Sequence, residues 1–162
     1  MQDVTSTLRV FSPAAGTAMS LETVPDPVFS QGMVGPGVAI HPEPGQEGGQ
    51  EGRQEAVAPL TGTLVKLRPH AFVVMAEGRE RGILVHLGID TVQLEGEGFT
   101  LLATEGAQVR VGTPVIDWSP GGVAAAGKPS VVPVVALDAD QEELIDVVSG
   151  AVDPGDPLFS WG

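Results

Sequence analysis

The chain has 162 residues and a formal net charge of −13, which argues against nucleic acids and anionic membrane surfaces as partners. It contains no cysteine, so disulfides and thiolate chemistry are excluded. Residues 1–10 lack the basic and apolar regions of a signal peptide, and no apolar run reaches the roughly 20 residues that span a bilayer. We therefore expect a cytoplasmic protein with no direct membrane insertion, folded as a single domain over residues 1–162.

Valine-rich segments, cut at short intervals by 22 glycines and 14 prolines, predict an all-β fold, an antiparallel sandwich or barrel. Residues 1–6 are polar, and we expect them to be loose. Residues 24–29 contain two prolines, which forbid a central strand. This segment is predicted to be an irregular exposed loop that carries Val28 and Phe29 to the surface.

Residues 42–55 form a low-complexity stretch of Pro, Glu, Gly, Gln and Arg. Because it has no apolar residue, it cannot offset the entropy lost on ordering. We predict a disordered loop inside the domain rather than a linker between two domains.

Two pairs of segments echo each other along the chain. Ser-Pro-Ala-Ala-Gly-Thr at residues 12–17 resembles Ala-Pro-Leu-Thr-Gly-Thr at residues 58–63. Residues 105–116 and 149–159 both begin near Gly-Ala and end on Gly-x-Pro followed by an apolar residue. Each pair indicates a strand–turn–strand unit used twice, and hence an internally pseudo-symmetric β structure.

Two apolar runs on either side of Gly78 predict a β-hairpin. With the turn centred near Gly78, a residue numbered i faces one numbered near 156 − i, so His70 falls opposite His86. Directly opposed side chains have Cβ atoms about 4.5–5.5 Å apart. The hairpin is therefore expected to place two imidazoles side by side on one face.

One short helix is predicted near residues 140–149. Asp140 can cap it, Glu143 stands at the capping-box position, and Gly150 ends it. Its apolar face would comprise Leu144, Ile145 and Val148.

A facing histidine pair suits a metal site, an acid–base pair, or a phosphoryl acceptor with an assisting group. A zinc site needs about three protein ligands, and His41 is the only other histidine. Neither H-x-H nor H-E-x-x-H is present. Phosphoryl transfer fits better, because neutral imidazole is a good nucleophile near pH 7 and a second imidazole can bond the phosphoryl oxygens. One ring nitrogen would be free while a backbone carbonyl holds the other.

Several motifs then resemble one family and stand in the same order. They are V-P-D-P-V-F at residues 24–29, G-P-G-V-A-I at residues 35–40, A-P-L-T-G-T at residues 58–63, H-A-F at residues 70–72, V-H-L-G-I-D-T-V at residues 85–92 and L-E-G-E-G-F at residues 94–99. Over residues 8–160 the chain resembles the glucose-type enzyme IIA of the bacterial phosphoenolpyruvate:sugar phosphotransferase system. The resemblance implies an antiparallel β-sandwich known as a duplicated hybrid motif.

The same resemblance implies a mechanism. His86 would accept a phosphoryl group from the phosphocarrier protein HPr and pass it to a cysteine on the IIB domain of a sugar permease, and His70 would assist. No metal or nucleotide cofactor is implied. A shallow apolar partner-binding patch with an acidic rim would surround the histidines. The patch would comprise Val28, Phe29, Met33, Val34, Leu84 and Val92, with Asp26 and Asp90 on the rim.

The chain departs from the family pattern before the first histidine. Family members often carry a small polar residue two positions earlier, where this chain has Arg68. We hypothesise that Arg68 contacts a phosphoryl group instead. The loop at residues 42–55 is also longer than usual in the family.

Two other readings stay open from sequence. The same surface would also serve a regulatory module that binds permeases or metabolic enzymes in one phosphorylation state. A zinc peptidase on a related sandwich is disfavoured by the missing H-x-H motif. The sequence does not reveal which sugar the permease partner transports, since permeases for glucose, N-acetylglucosamine, maltose or a β-glucoside are all compatible with it. Met1 favours a standalone chain over one domain of a longer permease.

Overall fold

Most of the chain forms short antiparallel strands separated by turns rich in glycine and proline, as its composition predicts. The computed structural model describes residues 7–42, 53–78 and 80–162. The strands are β1 (Leu8–Phe11), β2 (Gly16–Ser20), β3 (Gly37–His41), β4 (Gln54–Val57), β5 (Gly62–Arg68), β6 (Ala71–Ala76), β7 (Gly82–His86), β8 (Phe99–Leu101), β9 (Gln108–Val109), β10 (Pro114–Trp118), β11 (Val132–Ala136), β12 (Leu144–Ile145), β13 (Gly150–Val152) and β14 (Pro157–Trp161). The described ranges also contain two short helices, α1 (Pro27–Ser30) and α2 (Pro120–Ala125), and 3-10 turns at Leu21–Thr23, Thr91–Leu94 and Gln141–Glu143. Within the described ranges, no helix is long and apolar enough to cross a bilayer.

In the part of the chain that the structure describes, the strands form one large sheet and two small ones. The large sheet has eight strands in the order β13-β2-β3-β11-β7-β6-β5-β9, and the small sheets have the orders β1-β14-β12 and β4-β10-β8. Apolar residues from all three sheets pack into one main core, with Val10, Phe72 and Trp118 among its most buried members. The predicted antiparallel sandwich is confirmed, and the sheets do not close into a barrel.

The large sheet is also covered on part of its outer face. A second apolar cluster there joins sheet residues to residues of the segments that follow β2 and β7 and of the segment that precedes β11. Its buried members are Leu21, Val24, Phe29, Ala39, Ile89, Val131 and Val135. Side chains alternate along a strand, so on β7 Ile83 and Val85 enter the main core whereas Leu84 and His86 face outward. The outer face therefore presents His86 beside an apolar cluster.

The predicted internal repeat is visible as matched backbone hydrogen bonds. The N–H of Phe11 donates to the carbonyl of Pro59 over 2.8 Å, and the N–H of Val57 donates to the carbonyl of Pro13 over 2.9 Å. In the echo of residues 12–17 by residues 58–63, Phe11 corresponds to Val57 and Pro13 to Pro59, so the two bonds are equivalent. Two further pairs of bonds are related in the same way. The N–H of Ser12 donates to the carbonyl of Asp156 (2.7 Å), as the N–H of Ala58 does to that of Thr113 (2.9 Å). The N–H of Gly155 donates to the carbonyl of Ser12 (2.9 Å), as the N–H of Gly112 does to that of Ala58 (3.0 Å). The pseudo-symmetry predicted from the two echoes is thus confirmed.

The predicted loop at residues 42–55 extends too far toward the C-terminus. Gln54 begins β4 and pairs with Trp118, and Arg53 Nε donates to the Asp117 carboxylate over 3.0 Å. Burial of Ala56 and Val57 in the sandwich anchors this strand, and the ladder then orders the polar residues beside them. Residues 43–52 of that prediction, like residues 1–6, lie outside the described residues.

The predicted helix near residues 140–149 is wrong. The capping-box contact does form, since the N–H of Asp140 donates to Oε1 of Glu143 over 2.9 Å, but only the 3-10 turn Gln141–Glu143 follows it. Leu144 then pairs with Trp161 as the start of β12. A sheet edge that buries Leu144 displaces a short helix, because so few helical residues cannot offset the loss of that pairing.

Candidate functional site

His86 is the last residue of β7, and its ring is oriented by the backbone just beyond the strand. Its Nδ1 lies 2.6 Å from the carbonyl oxygen of Gly88. A carbonyl oxygen only accepts hydrogen bonds, so Nδ1 carries the proton. In the neutral ring the unprotonated nitrogen is therefore Nε2, which no hydrogen bond among the described residues engages. The backbone carbonyl that the sequence predicted would hold one ring nitrogen of His86 is that of Gly88.

The turn after His86 depends on a glycine. Gly88 has φ +83°, and a Cβ there would lie 2.7 Å from Cγ2 of Thr91 and 2.9 Å from the carbonyl oxygen of Pro129. The hydroxyl of buried Thr91 donates to the carbonyl of Leu87 over 2.8 Å, which closes the turn. Sequence reasoning missed this role of Thr91, because a threonine in this position carries no signal until its burial is known.

His70 reaches His86 by a different route from the one predicted. Ala71, not His70, pairs with His86, so partner numbers sum to 157 rather than 156. His70 lies in the two-residue turn between β5 and β6, where its carbonyl accepts the N–H of Leu87 over 2.8 Å. The ring centroids of His70 and His86 are 5.1 Å apart in an edge-on arrangement at 74°. The predicted register is wrong by one residue, but the two rings are neighbours.

The segment expected to be an irregular loop contains α1. Asp26 accepts the N–H of Val28 over 2.9 Å as the N-cap, and Pro27 follows at the first helical position. An Asp-Pro pair is a recognised helix start, so the sequence did carry this signal. The helix turns Phe29 inward, leaving it 7% exposed, whereas Val28 is 43% exposed.

Phe29 therefore lies under the site rather than on the protein surface. Its ring centroid is 5.3 Å from that of His86, with the ring planes inclined at 55°. The prediction that Phe29 is a surface residue is wrong, and the structure makes it an apolar wall of the His86 site.

The other residues of the expected patch divide by exposure. Val28, Met33 and Val92 are exposed, whereas Val34 and Leu84 are half-buried against the outer cluster. Asp90 is exposed at φ 61° immediately before the 3-10 turn Thr91–Leu94.

Both rings are held toward the neutral form. Burial lowers the pKa of His86 below its ordinary value of 6.5, while the Gly88 carbonyl and the charges of Asp26 and Asp90 act in the opposite direction. Burial likewise lowers the pKa of His70, and the nearby charges of His86 and Arg68 lower it further. Neutral imidazole is the nucleophilic form, so this environment suits attack by Nε2 near neutral pH.

The third histidine has a separate structural bond. Nε2 of His41 lies 2.8 Å from Oγ1 of Thr23, whose own proton is donated to the carbonyl of Ser20 over 2.7 Å. His41 is therefore the donor in that pair. Among the described residues no group of three or more potential metal ligands occurs.

Comparisons with known proteins show the family of this chain. Residues 8–142 match the model of the family described as phosphoenolpyruvate-dependent sugar phosphotransferase system, EIIA 1. The chain is 34% identical over 149 residues to the glucose-specific EIIA component of the phosphotransferase system from Staphylococcus epidermidis, an alignment covering 90% of this chain and 83% of that protein. The corresponding Staphylococcus aureus protein is similar to the same extent.

A solved structure shares the fold over almost the whole chain. Glucose permease IIA from Mycoplasma capricolum superposes with a TM-score of 0.85 at 30% identity, covering 99% of each chain. The matched family model spans both histidines of the site. The chain therefore belongs to the EIIA 1 family of the phosphoenolpyruvate-dependent sugar phosphotransferase system.

Proposed function

We propose that this protein carries a phosphoryl group on Nε2 of His86, received from phospho-HPr and delivered to a cysteine on the IIB domain of a sugar permease. Membership of the EIIA family supports a phosphocarrier role in the phosphotransferase system. The observation that carries the choice of atom is the 2.6 Å contact between Nδ1 of His86 and the carbonyl oxygen of Gly88. It leaves Nε2 as the unprotonated nitrogen of the neutral ring.

In the first transfer, the lone pair of Nε2 forms a bond to phosphorus while the bond between phosphorus and the donor atom of phospho-HPr breaks, and that bond's electron pair returns to the donor atom. The His86 ring keeps its Nδ1 proton and gains a positive charge. The carbonyl of Gly88 accepts the hydrogen bond of that charged ring, and charge-assisted hydrogen bonds are the stronger ones. In the second transfer the cysteine thiolate forms a bond to phosphorus while the bond between Nε2 of His86 and phosphorus breaks. The electron pair of that bond returns to Nε2, and His86 is again a neutral imidazole.

His70 is positioned to assist. Its ring centroid lies 5.1 Å from that of His86, and its lowered pKa keeps it neutral, so one ring nitrogen carries a proton that can bond a phosphoryl oxygen. The backbone bond from Leu87 to the carbonyl of His70 ties the two residues together. We assign His70 to the onward transfer.

Partner proteins would dock over the exposed part of the patch. Val28, Met33 and Val92 supply apolar area, and Asp26 and Asp90 supply negative charge that steers basic partner surfaces. The donor HPr and the acceptor IIB domain would dock on this same face one after the other, in the cytoplasm. Metabolic enzymes or permeases that the protein regulates would bind there as well.

The test is phosphorylation by phosphoenolpyruvate, enzyme I and HPr, followed by intact mass. Wild type and His70→Gln should gain one phosphoryl group, and His86→Gln should gain none. His41→Gln is the matched control, because its ring bonds Thr23 instead, and it should behave as wild type. His70→Gln should then fail to pass the group to a IIB domain.

No gain by wild type, with HPr shown to be active, would overturn the proposal and leave a binding module. Phosphorylation of His86→Gln would overturn the assignment of the acceptor.

A further inference from the structure

Arg68, Ala71 and His86 form one row across three neighbouring strands of the large sheet. Arg68 pairs with Ala71 across β5 and β6, and Ala71 pairs with His86 across β6 and β7. Directly paired residues project to the same face of a sheet, so all three side chains leave the outer face, where His86 carries its reactive ring. The middle position is alanine, whose methyl group extends less far from the sheet than the guanidinium or the imidazole on either side of it.

The spacing fits a phosphoryl group between the two ends of the row. Adjacent strands are about 4.8 Å apart, so the Cα atoms of Arg68 and His86 lie roughly 10 Å apart. An extended arginine and an imidazole can span that gap above Ala71 with a tetrahedral group between them. A guanidinium donates two parallel N–H bonds to phosphoryl oxygens, which makes arginine well suited to this contact.

The present partners of Arg68 hold it weakly. Nη1 of Arg68 donates to the carbonyl of the neighbouring Leu67 over 3.1 Å and lies 3.5 Å from Oε1 of Glu105. The side chains of Arg68 and Glu105 are 58% and 53% exposed. An exposed pair at this distance contributes little stability. Glu105 keeps a hydrogen-bond partner without Arg68, because its Oε1 also accepts the N–H of Leu67 over 2.9 Å. Arg68 can therefore leave Glu105 without stranding a buried charge.

We propose that Arg68 binds the phosphoryl group carried by His86 and stabilises the negative charge on its oxygens during transfer. This inference rests on the proposed phosphorylation of His86. Arg68 forms and breaks no covalent bond; its guanidinium exchanges the Leu67 carbonyl and the Glu105 carboxylate for two phosphoryl oxygens. Because the covalent steps are the same without Arg68, a protein that lacks it should still be phosphorylated on His86, but more slowly.

A neighbouring cation provides the matched control. Lys66 lies on the same strand and the same outer face, but it pairs with Val73, which in turn pairs with Leu84. Its row ends on an apolar side chain rather than on His86. Removal of Lys66 takes away one positive charge near the site without removing a group aligned with the phosphoryl acceptor.

The experiment compares wild type, Arg68→Gln and Lys66→Gln with two donors, phospho-HPr and the small donor phosphoramidate. With phosphoramidate as the donor, His86 should be phosphorylated about 10- to 100-fold more slowly in Arg68→Gln than in wild type, because one charge-assisted contact is lost. The rate in Lys66→Gln should match that of wild type. In ³¹P NMR titrations, phosphoryl ionisation on His86 should shift to higher pH in Arg68→Gln alone. Circular dichroism should show all three folded, since both side chains are exposed.

Three results would overturn the inference. One is an unchanged rate and ³¹P titration in Arg68→Gln. Another is a slower transfer from phospho-HPr with a normal rate from phosphoramidate, which would make Arg68 a residue of the HPr interface. The third is an equal effect of Lys66→Gln, which would indicate general electrostatics. If neither donor phosphorylates His86 in wild type, the result counts against the proposed function itself rather than against the role of Arg68.

Discussion

Nδ1 of His86 lies 2.6 Å from the carbonyl oxygen of Gly88, two residues later in the same chain. The proton position on the reactive ring is thus set by backbone geometry rather than by another side chain. Since Gly88 adopts φ +83°, that geometry is available only while residue 88 tolerates a left-handed conformation in tight surroundings.

Substitution Gly88→Ala should damage both stability and chemistry. The added Cβ meets Cγ2 of Thr91 at 2.7 Å and the carbonyl oxygen of Pro129 at 2.9 Å, so the turn has to shift. We expect a loss of about 2–4 kcal/mol in the free energy of unfolding. Imidazole ¹⁵N NMR should show that Nδ1 of His86 no longer carries a fixed proton.

The matched control is Gly78→Ala. Gly78 has φ +71° with nothing within 4 Å of an added Cβ, so only the conformational strain of about 1–2 kcal/mol should appear. Urea unfolding of both variants measures the difference. Equal losses at the two positions would show that crowding at Gly88 is unimportant.

Removal of the Phe29 ring should both destabilise the protein and alter His86. Phe29 is 7% exposed, and Phe→Ala substitutions in such positions cost about 3–5 kcal/mol. Its loss lets water reach the His86 ring, so the pKa of His86 should rise toward its ordinary value. NMR titration of the imidazole and urea unfolding measure the two effects. Val28→Ala, next in sequence but exposed, should change stability by no more than about 0.5 kcal/mol.

Two substitutions separate the roles of Asp26. Asparagine caps helices as well as aspartate does, so Asp26→Asn should keep α1 and remove only the charge. Asp26→Ala should lose the cap as well, at about 1 kcal/mol of stability. Because Asp26 raises the pKa of His86, both variants should lower that pKa further, to a similar extent. A pKa change in Asp26→Ala alone would mean that helix position, not charge, is responsible.

Stability should fall as the pH is lowered below 6.5. The pKa values of His41, His70 and His86 are all lower in the folded protein than the ordinary 6.5, so the unfolded chain binds more protons in that range. The free energy of unfolding therefore decreases as the pH falls from 6.5 through the folded-state pKa values. Urea unfolding between pH 7.5 and 5.5 should show a smaller dependence in His86→Gln than in wild type. An unchanged dependence would exclude His86 as a contributor.

Several features were within reach of local sequence pattern. The echoed turns around Pro13 and Pro59 predicted the pseudo-symmetry, because repeated turn chemistry produces repeated strand geometry. Two apolar runs around a Gly-containing turn predicted the β6–β7 hairpin. A histidine at the end of a strand that terminates at a glycine predicted a ring nitrogen held by a backbone carbonyl. Asp26-Pro27 carried a helix-start signal that the two-proline argument obscured.

By itself, then, the sequence determined the strand-rich class, the internal repeat and the two histidines that meet, since composition, turn residues and side-chain alternation act locally. Only the tertiary structure decided the register between β6 and β7, the inward turn of Phe29 and the replacement of a helix by β12. It also decided that Arg68 stands in line with His86 across Ala71. Those outcomes depend on which buried surfaces from distant segments compete for the same space, and that competition is settled only when the sheets pack.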